Sequence, residues 1–257
     1  MIRPNAVRTR LAEGRPAVGC WNAIANPMIA EMLGHCGFDA IMLDHEHGAG
    51  DVSTAVASII AIQSTPAAAM MRVPDDDPAT IKRVLDIGIE GVMIPSIETP
   101  EQAERAVAAC KYPPRGNRGA ALTGIRASRY GMAADDYHHW TETELMVILQ
   151  IESVKAVDAI PEIASVQGVD MLFVGPQDLS GSAGLLRGYD EPAFLAAMER
   201  AETAIRDSDV WFGSVPSLGR SDAEMVASGI QFLCKTSDTR LLVGGGLEAA
   251  AAFREMQ

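Results

Sequence analysis

Charged residues end four apolar runs of this 257-residue chain. The four sites are residues 43–47 (LDHEH), 71–74 (MRVP), 150–152 (QIE) and 175–178 (GPQD). Each run predicts a buried β-strand, and each string places a charge where that strand stops. If the strands are parallel members of one sheet, their carboxyl ends meet at one edge and bring these charges together. Two acids, an imidazole and a guanidinium at one edge would form a metal-dependent enolate site.

The candidate metal ligands are Glu152 and Asp178, two acids at predicted strand ends that are one strand apart. Hard oxygen ligands of this kind suit Mg²⁺ or Mn²⁺, which retain water and take further oxygens from a substrate. Either acid alone could be a helix N-cap or a surface charge, but the pair at neighbouring strand ends favours a metal site.

The candidate base is His47, and Asp44, three residues earlier, could orient its imidazole. A histidine held by a carboxylate is suited to proton transfer near neutral pH. His45 is a competitor, because in an extended segment it would share a face with His47 while Glu46 points the other way.

Arg72 ends the third predicted strand, where a guanidinium needs an anionic partner. That partner could be a substrate carboxylate or an oxyanion. It could also be an acid of the chain, namely Asp44, Asp75 or Asp86.

The turn at residues 175–178 could present the backbone N–H groups of Gly175, Gln177 and Asp178 to an anion. With the metal pair and Arg72, this predicts class II aldol chemistry on a pyruvate-like 2-oxo acid. The alternative, a Schiff-base aldolase, needs a desolvated lysine on a strand end, and Lys235 is the candidate.

The elements that must position these residues alternate along the chain as strand and helix. Helices are predicted at Pro27–Gly34, Val52–Gln63, Pro78–Ile87 and Pro100–Cys110, each after an Asn, Asp or Thr N-cap. Eight strands are predicted, at Ala17–Ala23, Asp39–Leu43, Ala67–Val73, Gly91–Pro95, Leu145–Ile151, Met171–Val174, Val210–Val215 and Gln231–Lys235.

Eight βα units in a chain of this length predict a single (β/α)₈ TIM barrel over residues 1–257. The alternative is a doubly wound open sheet, but residues 19–22 (GCWN) carry no dinucleotide fingerprint. Residues 113–139 form a long Arg-containing segment that predicts a functional loop or an interface. Gly244–Gly246 predict a flexible joint, so that residues 244–257 could carry a helix onto a neighbouring subunit or onto their own barrel.

The composition is that of a soluble protein with a net charge of −13, which disfavours nucleic acid and anionic membranes as partners. The four cysteines are widely spaced and are expected to be reduced. The first residues lack a signal-peptide pattern, and no apolar run has the ~20 residues of a membrane span. We therefore expect a cytoplasmic protein.

The chain resembles the HpcH/HpaI family of metal-dependent pyruvate aldolases along almost its whole length. The resemblance rests on residues 44–47 (DHEH), 111–119 (KYPPRGNRG), 126–129 (RASR), 150–152 (QIE) and 174–180 (VGPQDLS). It implies a TIM barrel whose last helix is exchanged between subunits, commonly in a homohexamer built as a trimer of dimers. The cofactor it implies is a divalent metal, Mg²⁺, Mn²⁺ or Co²⁺.

By this resemblance Glu152 and Asp178 bind the metal, Arg72 supports the enolate, and the His47–Asp44 pair handles the proton. Asp86 matches a further supporting acid, and His45 fills a variable position of the motif. The substrates would be a 2-oxo acid and an aldehyde. Contacts to them are expected from Trp21, Gln150, Gly175, Gln177, Ser214 and Val215.

The reaction expected is reversible cleavage of a 4-hydroxy-2-oxo acid to pyruvate, or a related 2-oxo acid such as hydroxypyruvate, and an aldehyde. Succinic semialdehyde, lactaldehyde and tartronate semialdehyde are candidate acceptors. Oxaloacetate decarboxylation or cleavage of malyl- or citramalyl-CoA could use the same enolate. A non-catalytic scaffold is the remaining alternative, and it would tolerate Glu152→Ala.

Overall fold

Eight parallel strands close into a barrel in chain order, and β8 pairs with β1. A computed structural model describes residues 2–255. The predicted TIM barrel and all eight predicted strands are confirmed, with ends within two residues of those expected. The strands are β1 (Ala17–Asn22), β2 (Ala40–Asp44), β3 (Ala68–Arg72), β4 (Gly91–Ile94), β5 (Met146–Ile151), β6 (Met171–Val174), β7 (Trp211–Ser214) and β8 (Phe232–Ser237).

Helices surround the barrel, and the side chains of Asn26, Asp51, Asp77 and Thr99 accept hydrogen bonds from backbone N–H groups where the four predicted helices begin. These caps satisfy N–H groups that have no partner within the helix. The helices are α1 (Ala6–Ala12), α2 (Pro27–His35), α3 (Val52–Ile62), α4 (Pro78–Asp86), α5 (Pro100–Cys110), α6 (Ala134–Thr143), α7 (Val154–Asp158), α8 (Ile160–Ala164), α9 (Pro176–Ser182), α10 (Pro192–Arg206), α11 (Asp222–Ala227) and α12 (Asp238–Arg254).

The barrel interior is filled by large side chains. Phe173 and Phe232 are buried inside, with ring centroids 6.4 Å apart. Glycines on neighbouring strands make room for these rings. A Cβ atom at Gly19 would lie 2.8 Å from Phe232, and one at Gly213 would lie 2.7 Å from Phe173.

The long segment after α5 lies at the amino-terminal end of the barrel. Arg126 donates to the backbone oxygen of Ile87 and to the side chain of Gln63, which follow the ends of α4 and α3. Since these helices run back from the carboxyl ends of β2 and β3, their ends lie opposite the mouth. Arg126, which fixes this segment to its own barrel, therefore does not reach the mouth of that barrel.

The last helix, α12, departs from the barrel, and nearly all of its residues are exposed. Gly244–Gly246 lie inside this continuous helix, so the predicted joint before a separate helix is wrong. The chain is instead held where α12 begins: the buried Asp238 carboxylate accepts hydrogen bonds from Asn22 Nδ2 and the backbone N–H of Ile24, each at 2.9 Å. Residues 256 and 257 of the predicted segment lie outside the described residues.

Within residues 2–255, no helix is both long and apolar enough to cross a bilayer.

Candidate active site

Glu152 follows β5 directly, and both of its carboxylate oxygens are held. Oε1 accepts hydrogen bonds from the backbone N–H of Ser96 at 2.8 Å and from its hydroxyl at 3.1 Å. Oε2 accepts a hydrogen bond from Gln150 Nε2. The carboxylate is therefore fixed in one orientation at the carboxyl end of the barrel.

Gly175 provides the space beside this carboxylate. A Cβ atom at residue 175 would lie 3.1 Å from Glu152 Oε2 and 3.0 Å from Gln150 Nε2. The Gly175 N–H donates to the backbone oxygen of Ile151, so this group is not free to bind an anion. Gln177 and Asp178 follow in the first turn of α9.

The pKa of Glu152 is raised, first because the carboxyl is buried and also because Asp178 lies nearby. Neither Glu152 nor Asp178 forms an ion pair with another residue of the described chain, 2–255. Gln150 Oε1 is buried there and accepts no hydrogen bond. Two close carboxylates and an unused amide oxygen are a donor set that fits a hard divalent cation.

Two protein ligands leave most of the coordination positions of such a cation to water and substrate. Residues 2–255 contain no group of three or more His, Cys, Asp or Glu side chains placed to enclose a metal ion.

Arg72 is positioned by the strand register, which sets it beside Asp44. Its Nε and Nη2 donate to the two oxygens of Asp44 at 3.0 and 2.8 Å, and Nη1 lies 3.0 Å from Glu46 Oε2. The guanidinium also stacks on Trp21, 4.5 Å from the ring centroid. Arg72 thus forms the predicted ion pair with Asp44. A guanidinium has five N–H groups and Asp44 accepts two of them, so others stay available for a ligand.

The Asp44 carboxylate does not contact the His47 imidazole. Its Oδ1 accepts the backbone N–H groups of Glu46 and His47, at 3.1 and 3.2 Å, and both oxygens bind Arg72. Burial alone would raise the pKa of Asp44, but these hydrogen bonds and the charge of Arg72 lower it. Asp44 therefore remains ionised and shapes the turn that carries His47.

Glu46 is the acid that faces the His47 ring, with 3.9 Å between Glu46 Oε1 and His47 Nε2. Burial raises the pKa of Glu46, and the charges of Glu152 and Asp44 add to this effect against that of Arg72. Glu46 therefore lies between the arginine and the histidine, and the prediction that it points away from His47 is wrong.

Asp44, His47, Arg72 and Asp178 line a cavity of about 320 Å³, the size of a site for a small organic acid. Glu152 is not part of this lining, but it contacts Gln150 and lies beside Gly175, which are. One side of the cavity is apolar, from Trp21, Phe173 and Val215. The hydroxyls of Ser237 and Thr239 also line it, 2.8 Å apart. Predicted residues that line the cavity are Trp21, Asp44, His47, Arg72, Gln150, Gly175, Gln177, Asp178 and Val215.

Other predicted residues lie elsewhere. Asp86 ends α4 and binds Arg118 at 2.7 Å, outside the cavity. His45 is partly buried against Gly50, where a Cβ would lie 2.9 Å from its Nε2, and burial lowers its pKa. The Ser214 hydroxyl is buried and donates to Val174 O at 3.2 Å. Lys235 forms an ion pair with Asp222.

Sequence reasoning missed Ser96, Glu46, Ser237 and Thr239. Ser96 follows a strand that ends without a charge, so a search for charged strand ends passes over it. Ser237 and Thr239 flank the start of α12, beyond the eighth predicted strand, and carry no charge that would mark them.

A groove of about 800 Å³ between α8 and α10 is larger than the mouth cavity. It lies on the outer helices and is lined by residues such as Ala164, Arg200 and Asp207. We place the chemistry in the smaller cavity, because there the carboxylates, Arg72 and His47 converge at the carboxyl ends of the strands.

Comparisons with known proteins show the family and the fold of this chain. The family model for HpcH/HpaI aldolase/citrate lyase matches residues 17–244. The 5-keto-4-deoxy-D-glucarate aldolase of Shigella boydii serotype 18 is 40% identical over 198 residues, which cover 77% of this chain and 76% of that protein.

Solved structures show the same fold over almost the entire chain. A HpcH/HpaI aldolase/citrate lyase family protein from Burkholderia cenocepacia J2315 has a TM-score of 0.91 at 32% identity, covering 97% of this chain and 99% of that one. A HpcH/HpaI aldolase from Desulfitobacterium hafniense DCB-2 has a TM-score of 0.86 at 29% identity, covering 96% of each chain. The chain belongs to the HpcH/HpaI aldolase/citrate lyase family and is an enzyme of the carbon–carbon lyase class.

Proposed function

We propose that this enzyme is a class II aldolase that reversibly cleaves a 4-hydroxy-2-oxo acid to pyruvate, or a related 2-oxo acid, and an aldehyde. The observation that carries the proposal is the pair of carboxylates, Glu152 and Asp178, beside the cavity that also exposes Arg72 and His47. An acidic pair suits a divalent cation, while the cationic and titratable groups suit an oxyanion and a proton transfer.

Glu152 and Asp178 would hold the metal, with Mg²⁺, Mn²⁺ and Co²⁺ as candidates. When bound, the metal supplies positive charge that binds the 2-oxo acid and stabilises its enolate. Gln150 Oε1, which is buried without a partner, could accept a hydrogen bond from a metal-bound water or from the substrate.

The residues of the chain provide the remaining steps. In the cleavage direction, His47 accepts the proton of the C4 hydroxyl and the C3–C4 bond breaks. The electron pair of that bond forms the enolate of the 2-oxo acid. The N–H groups of Arg72 that Asp44 leaves free stabilise the oxygen on which negative charge develops. Return of that proton from His47 to C3 then completes pyruvate and restores the base.

The curated relative named above acts, by its name, on 5-keto-4-deoxy-D-glucarate, and we propose a substrate of the same class here. Aldol cleavage of that compound gives pyruvate and tartronate semialdehyde. The hydroxyls of Ser237 and Thr239 support this choice, because they offer hydrogen bonds to a hydroxylated acceptor beside the apolar wall.

The test is pyruvate release from a panel of 4-hydroxy-2-oxo acids, measured by a lactate dehydrogenase-coupled assay. We expect no activity in EDTA, recovery with Mg²⁺, Mn²⁺ or Co²⁺, and loss in Glu152→Gln. The matched control is Glu104→Gln, on the exposed face of α5. Pyruvate release that survives EDTA would contradict the proposal, and turnover of oxaloacetate alone would replace it with a decarboxylase.

A further inference from the structure

The loop after β4 contributes no side chain to the cavity lining, yet it holds the proposed metal ligand. Ser96 directs two donors, its N–H at 2.8 Å and its hydroxyl at 3.1 Å, to the same oxygen of Glu152. A carboxylate oxygen that accepts both bonds cannot rotate without losing them.

Ser96 makes these two bonds from an uncommon backbone conformation, with φ at +57°. A non-glycine residue in the left-handed region is unusual and points to a local requirement. Glycine would adopt this conformation more easily but has no hydroxyl. The serine therefore combines a costly backbone conformation with a second hydrogen bond to Glu152.

A second contact joins the loop after β4 to the loop after β5, one residue beyond Glu152. The Ser153 hydroxyl donates to Glu98 Oε1 at 2.8 Å, and Lys155 Nζ lies 3.1 Å from the other oxygen of Glu98. Successive residues of the β5 loop, Glu152 and Ser153, are thus tied to the β4 loop in opposite directions.

We propose that Ser96 is a positioning residue that fixes Glu152 in the orientation needed to bind the divalent metal, with the Ser153–Glu98 contact as a second support. The inference deepens the proposed function and rests on it. Its physical basis is that hydrogen-bonding partners of a metal ligand reduce the freedom the ligand would lose on binding.

The test is titration of metal-free enzyme with Mn²⁺ by calorimetry. For Ser96→Ala we expect the Kd to rise about tenfold, the low end of the effect of such partners on metal affinity. Ser96→Gly should weaken binding in the same way although it relieves the backbone, because it also lacks the hydroxyl. Ser153→Ala should weaken binding by less, and Ser165→Ala, an exposed serine on the outer surface, should leave it unchanged.

Kinetics separate positioning from a general structural defect. In Ser96→Ala the Mn²⁺ concentration for half-maximal activity should rise by the same factor, while kcat at saturating Mn²⁺ stays close to that of wild type. Equal Mn²⁺ affinity in wild type and both Ser96 variants would overturn the inference alone. Failure of the wild-type enzyme to bind Mn²⁺ would overturn it together with the metal site of the proposed function.

Discussion

At the residue scale, Arg72 depends on geometry as much as on charge. It binds both oxygens of Asp44, lies 3.0 Å from Glu46 and stacks on Trp21. A lysine keeps the charge but cannot reproduce a bidentate, planar contact. We therefore expect that lysine cannot replace Arg72.

We predict that Arg72→Lys lowers kcat/KM about a hundredfold or more, the scale of losing one preorganised donor to an oxyanion. Steady-state kinetics of pyruvate release measure this change. Arg83→Lys, an exposed arginine on α4, is the control and should be neutral. A loss of less than about fivefold in Arg72→Lys would mean that the guanidinium does not contact the developing charge.

The raised pKa of Glu152, a proposed metal ligand, makes the stability of the metal-free protein depend on pH. Since its folded-state pKa lies above the unfolded value, the stability it contributes is present at low pH and is lost as the pH rises through the folded-state pKa. Without metal, the Glu152 carboxyl therefore contributes less to the stability of the fold at neutral pH than at acidic pH.

We predict that metal-free Glu152→Gln has a higher Tm than metal-free wild type at pH 8, and that the gap narrows as the pH falls. Gln150 can rotate its amide to present the unused Oε1 to the new side chain. Differential scanning fluorimetry in EDTA measures both curves, with Glu104→Gln as control. A lower Tm for Glu152→Gln at every pH would contradict the sign of this linkage.

At the element scale, the helices and strands were predictable because their signals are local. Asn26, Asp51, Asp77 and Thr99 cap helices that begin with a proline or an apolar residue, and each strand is an apolar run. The four charged strand ends could be placed together because a parallel barrel gathers carboxyl ends at one face.

The predictions that proved wrong concern the points where a strand or a helix begins or ends. The alternation that paired His45 with His47 and turned Glu46 away applies only within a strand, and β2 ends at Asp44. There the Asp44 side chain accepts the next backbone N–H groups and turns the chain. Gly244–Gly246 predicted a joint, yet the helix begins earlier, at the capped and anchored Asp238, and continues through them.

Gly175, where β6 passes into α9, gives an element-scale prediction. Its φ of −99° suits any residue, so the effect of a side chain there is steric. We predict that Gly175→Ala pushes against Glu152 Oε2 and weakens Mn²⁺ binding about tenfold, as for other disturbances beside a metal ligand. Calorimetric titration measures it, and Gly124→Ala, with open space around its Cβ, is the control. Unchanged affinity would show that Glu152 does not need this space.

At the scale of the whole molecule, α12 exposes apolar side chains beyond the point where Asp238 anchors it to its own barrel. The exposed fractions of Leu242, Val243, Leu247 and Phe253 are 58%, 62%, 68% and 62%. A patch of this kind marks an association surface. We propose that α12 packs on another subunit, as the family resemblance implies, in a homohexamer built from paired protomers.

We predict that the double substitution Leu242→Glu and Leu247→Glu lowers the mass of the assembly in solution, because charges replace apolar contacts. Multi-angle light scattering after size exclusion measures the mass, and Glu248→Gln on the same helix is the control. An unchanged mass in the double variant would show that α12 does not hold subunits together.

A metal-stabilised enolate of a 2-oxo acid is the intermediate on which the proposed cleavage depends. The most direct measurement is exchange of the pyruvate methyl protons in D₂O, followed by proton NMR without any aldehyde. We predict exchange with wild type and Mn²⁺, none in EDTA, and none with Glu152→Gln. Exchange that persists in EDTA, with pyruvate trapped on the protein by borohydride, would contradict the proposal and point to a lysine imine instead.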